Sequence, residues 1–131
     1  MTRSIQGATP VQLDLPGQTH VADGPHDQSG MYIMHHAFRR DVANFVAAVR
    51  NTPLSQAEVW DALDARWTRF AEALHHHHKA EDSSIWPVLM RHADAAGSAE
   101  DRATLQAMQA EHALVDPSLA ACHEGFRAFF F

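Results

Sequence analysis

From Met31 onward, apolar residues recur at helical spacing. Met31, His35, Phe38, Val42, Phe45 and Val49 follow one another three or four residues apart, so they line one face of a helix. His35 is the single polar member of that face. Asn51-Thr52-Pro53 stops the pattern. A second run opens with Ser55 and Glu58 at capping-box spacing. Its face is Trp60, Leu63, Trp67, Phe70, Leu74, His77, Glu81, Ile85 and Val88. Pro87 falls late in this run and predicts a kink, because it cannot donate to the carbonyl of Ser83. Gly97 and Ser98 mark a loop, and Ser98 with Asp101 repeats the capping spacing. The third face is Leu105, Met108, His112, Val115, Leu119, Cys122, Phe126 and Phe129, with Pro117 predicting a bend.

Residues 1–29 carry no such period. They hold three of the six prolines (Pro10, Pro16 and Pro25) and read as an extended leader ahead of a helical domain spanning 30–131. Helices are expected at about 31–50, 56–91 and 99–130. Short loops between them imply antiparallel, up-down-up packing with shallow left-handed crossings. No strand pattern competes, so the fold class is all-α.

Composition narrows the function. A chain of 131 residues, 46% apolar and 20% charged, suits one folded domain. Ten Lys+Arg against sixteen Asp+Glu give a net charge of −6, which argues against nucleic acid or an anionic membrane surface as partner. The lone Cys122 excludes an internal disulfide framework and a CxxC zinc ribbon. No apolar run is long enough to cross a bilayer, and the N-terminus lacks a secretion-signal layout, so a cytoplasmic protein is expected. Eleven histidines are the outlying number, and four of them, His75 to His78, are consecutive and mid-chain.

Candidate chemistry lies where polar residues interrupt the apolar faces: His35, His77 with Glu81, and His112. Imidazoles and a carboxylate in a helical core are costly unless paired or ligating a metal. His77 and Glu81, four residues apart, project from adjacent turns toward one spot. Such nitrogen and oxygen donors suit iron, manganese or zinc. By angle alone His77 and His78 flank Glu81 equally; His77 is preferred because it shares a row with Glu81. His75 and His76 are expected to point outward or sideways. Met31, Met34 and Met108 read as packing residues, and Cys122 as a buried small apolar one. Tyr32 reads as an interface aromatic. Arg39, Arg40 and Asp41 read as solvated surface beside His36. Asp82 reads as exposed, with the alternative of orienting a neighbouring imidazole through its ring N–H.

The segments MHHAFRRDV, HHHHKAEDSSIWPVL and LQAMQAEHALVDPSL resemble the first three helices of the hemerythrin-like, HHE cation-binding family. Carried over, the family's metal ligands fall on His35, His77, Glu81 and His112. The resemblance implies a hemerythrin-like four-helix bundle and a non-heme di-iron centre with a bridging oxygen species. Zinc or manganese are alternatives. It further implies binding or sensing of dioxygen, nitric oxide or iron, without catalysis. The competing expectations are a di-iron enzyme acting on peroxide or nitric oxide, and a zinc-stabilised helical interaction module. Two departures stand out: the sequence carries no fourth helix with a further His/acid cluster, and Met108 stands where many members have a histidine. Three imidazoles and one carboxylate cannot fill two six-coordinate irons. A further C-terminal helix, a second copy in a homo-oligomer, or a single metal with water ligands would resolve the shortfall. Phe126 and Phe129–Phe131, read as an exposed apolar end, favour a cover from another element.

Overall fold

The computed structural model describes residues 10–128. Among them there is no strand, and five α-helices with one π-turn form three rods. The first rod is α1 (Ser29–Asn51). The second joins α2 (Ala57–Ala80), a π-turn (Glu81–Ile85) and α3 (Trp86–Ala96). The third joins α4 (Ala99–His112) and α5 (Val115–Arg127). The fold class is therefore all-α, as the periodicity predicts. No helix among the described residues is long and apolar enough to cross a membrane. The chain divides into two compact units at Val49/Arg50.

In the first unit an irregular segment leads into α1. Asp27 accepts a 2.8 Å bond from the Ser29 backbone N–H at the start of α1, and the Ser29 hydrogen bonds hold its carboxyl below the usual value. Tyr32 and His36 are occupied locally. The Tyr32 hydroxyl accepts from the Ala22 N–H at 2.8 Å, and His36 Nδ1 lies 3.3 Å from the Pro16 carbonyl. Phe45 is the buried residue of α1. Arg40 pairs with Asp41 at 2.8 Å on the surface.

In the second unit the two longer rods form an antiparallel pair, α2 packing on α5 and α3 on α4. Three links across α2 and α5 follow that direction. Asp64 faces His123 at 3.0 Å, Trp67 Nε1 donates to the Leu119 carbonyl at 3.1 Å, and His75 meets Asp116 at 2.9 Å. Trp67 packs on Phe70 and Phe126 with ring centroids 5.2 and 5.7 Å apart. Phe126 is thus buried, not part of an exposed end; Phe129–Phe131 lie outside the described residues. Cys122, expected to be buried, is exposed.

Helix ends show which local signals operate. Ser98 caps α4, its side chain accepting from the Asp101 N–H at 3.2 Å. Gly97 before it takes a left-handed φ of 65°, and Ser98 N–H returns to the Ala93 carbonyl, a Schellman close to α3. Ser55 does not cap α2. Gln56 occupies that position without a side-chain bond, and the turn is tied instead by Pro53, whose carbonyl accepts from Gln56 N–H and from Trp60 Nε1. Pro117 sits in the first turn of α5, where its missing donor is not needed, and the expected bend is a break at Ala113–Leu114.

Pro87 acts differently from a simple kink. The helix widens ahead of it, the Trp86 N–H reaching back five residues to the Glu81 carbonyl. One extra residue per turn rotates everything downstream by about 100°. Ile85 and Val88, expected on the buried face, are therefore 37% and 40% exposed, while Trp86 turns inward and is 5% exposed.

Candidate metal centre

The last turn of α2 spreads its four histidines around the helix at about 100° intervals. His76 is exposed, and His75 reaches across to Asp116. His77 and His78 are half-buried on the two sides of the row that ends in Glu81. Glu81 is the one buried charged residue among those described, only 4% exposed. A carboxylate taken out of water needs compensation by hydrogen bonds or opposite charge.

The neighbours of Glu81 are imidazoles. His77 Nε2 lies 3.3 Å from Oε1, and His112 Nε2, at the end of α4, lies 3.6 Å from Oε2. His78 stands with them on the His112 side, the two rings 4.3 Å apart between centroids. Donor atoms of His78, Glu81 and His112 all lie within 4.8 Å of one another. Three donors held at about 2.1 Å from one tetrahedral cation are roughly 3.4 Å apart, so the cluster would close by side-chain movement on binding an ion.

The outer nitrogen of His112 is oriented from behind. Its Nδ1 lies 3.2 Å from Asp82 Oδ1 and 3.3 Å from Trp86 Nε1. One nitrogen cannot donate to the first and accept from the second. With Nδ1 turned to Asp82 and Trp86, Nε2 is the ring nitrogen that faces Glu81 and the one placed to ligate a cation there. The Trp86 ring meets His112 edge-on, 5.3 Å away between centroids.

Burial pulls the His78 pKa below the ordinary imidazole value, the adjacent His112 adds to that, and Glu81 and Asp82 oppose it only in part, so the neutral ring is favoured. Its Nδ1 is buried and has no hydrogen-bond partner among the described residues. A buried donor atom left over, a buried carboxylate and oriented imidazoles fit a divalent first-row cation, and no thiolate competes.

Three of the four expected ligands, His77, Glu81 and His112, converge in the second unit. His35 is carried by α1 of the first unit, where it is half-buried. His77 and His78 flank Glu81 as the helical angle predicts. Asp82 is exposed as expected and also takes the alternative role of orienting His112. Trp86 has no role in the sequence pattern, because it enters the site only through the π-turn; Pro87, one residue on, is the available signal.

A cleft of about 450 Å³ opens beside His78 and His112, with His75, Lys79, Asp82 and Asp116 on its wall. A model of one protein family, described as the hemerythrin HHE cation-binding domain, matches residues 28–129. No curated protein and no solved structure gives a significant match.

Proposed function

The chain belongs to the hemerythrin HHE cation-binding domain family, and from that premise we propose that it holds iron, as a di-iron centre, and uses it to bind or sense dioxygen or nitric oxide. Glu81 carries this reading. It is a buried carboxylate with an imidazole facing each of its two oxygens, so one side chain can serve two cations. His77 and His112 are the proposed nitrogen ligands in the second unit. We assign His35 as a further ligand from α1. The family match supports that assignment, since it runs unbroken through α1 and the two rods of the second unit.

When bound, iron would supply reversible ligation of a diatomic molecule. The chain's own groups supply the rest. Glu81 contributes negative charge that offsets the cation's, in a site where burial strengthens the attraction. Asp82 holds the Nδ1 side of His112, so that Nε2 faces Glu81. Trp86 covers one edge of His112 with apolar surface and limits water there. The open cleft beside His78 and His112 favours this reading over a structural zinc, whose site would be closed.

The test is to load metal-free protein with ferrous iron under nitrogen and then admit air. A new near-ultraviolet or visible charge-transfer band, absent from Glu81→Leu, is the expected result. Iron binding with no such band, for dioxygen or for nitric oxide, would sink the diatomic-ligand function while leaving cation binding intact.

A further inference from the structure

We propose that His78 is itself a metal ligand: with Glu81 and His112 it holds a divalent cation on the open side of Glu81, next to the cleft. This deepens the function proposed above and rests on the cluster being a cation site. Four observations carry it. The three donor groups lie within 4.8 Å of one another. The His78 ring is closely paired with His112, 4.3 Å between centroids, an unfavourable arrangement for two protonated rings and a natural one for two ligands of one ion. The buried Nδ1 of His78 has no hydrogen bond among the described residues, whereas His75, three residues earlier, has Asp116. Finally, His78 and His112 line the cleft, and the Asp82 and Asp116 carboxylates on its wall attract a cation against the single positive charge of Lys79.

His78 thereby divides the work with His77. His77 serves Oε1 of Glu81, and His78 joins His112 on the other side. Met108, one turn before His112 on α4, offers only a thioether, a poor ligand for iron, zinc or manganese. The nitrogen absent from that row is thus supplied by the histidine tract.

The experiment is cobalt(II) titration of the metal-free full chain in competition with a chelator, for wild type, His78→Ala and His76→Ala. Removing an orienting partner of a ligand typically costs about 10–100-fold in affinity, so loss of a ligand should weaken cobalt binding by at least that much. His76→Ala, altering an exposed neighbour, should bind as wild type does. Equal affinity of the two variants would overturn the assignment. A wild-type chain that takes up no cobalt would overturn the cation site as a whole. Nitrogen-15 NMR of the zinc-loaded wild type decides the point independently of any folding defect. A coordination shift on a His78 ring nitrogen is expected; shifts on His77 and His112 alone would refute the proposal.

Discussion

Along one antiparallel pair of rods, two regions handle burial in opposite ways. Around Trp60, Trp67, Phe70, Leu119 and Phe126 the facing side chains are aromatic or aliphatic apart from the Asp64–His123 pair, and the indole N–H groups donate to the Leu119 and Pro53 carbonyls. Past His77 the rods present imidazoles around a buried carboxylate, and a His78 ring nitrogen has no partner among the described residues. In the aromatic region the polar groups face partners across the two rods. In the polar region a bound cation would offset the cost of burying Glu81, so the stability of one region should be insensitive to metal and that of the other should depend on it.

The largest expected effect breaks the aromatic side. Trp67→Ala removes a buried ring and the donor to Leu119, and should cost about 3–5 kcal/mol in urea denaturation, with or without metal. A cost that disappears on metal loading would erase the contrast. Next comes the polar side. Glu81→Leu replaces a buried charge by an apolar group of similar volume. In the presence of chelator it should change stability less than Trp67→Ala does, because relief of the buried carboxylate offsets the lost contacts to His77 and His112. The same variant should lose the stabilisation by added metal, read as a rise in Tm, which for wild type amounts to about 2.7 kcal/mol at a free metal concentration of 100 times Kd.

A smaller effect tests whether the tip between the rods is locally held. Ser98→Ala deletes the cap on α4 and should cost about 1 kcal/mol irrespective of metal, again by denaturant midpoint. The smallest is a pH effect confined to the polar side. The His78 pKa is lower in the folded chain than the ordinary 6.5. Between those two values the unfolded chain binds the extra proton. Metal-free stability should therefore be full above about pH 6.5 and decline as pH falls through the folded value. His78→Leu should flatten that slope in chelator-treated samples; an unchanged slope would assign the dependence to other groups.

The contrast is partly legible in the residues. Trp60, Trp67 and Phe70 announce a buried helix face by their spacing, and Ser98 announces a helix start. His77, Glu81 and His112 stand out because they are polar members of apolar faces. Trp86 is not legible in that way, since straight α-helical counting carries the face from Glu81 to Ile85. Phe126 and Cys122 were misassigned for a related reason: both lie on the expected face of the last helix, and only packing against α2 decides which of them the aromatic cluster covers.

By itself, then, the sequence determined the all-α class and the donor types in the cluster, because helical period and side-chain chemistry are local properties. Tertiary structure decided the rest. The π-turn ahead of Pro87 rotates Trp86 onto His112, and the antiparallel return of α4 sets His112 against Glu81 with His78 beside it. Those outcomes depend on how two distant helices seat against each other, and a one-residue change of helical phase, invisible to a regular period, selects which side chains meet.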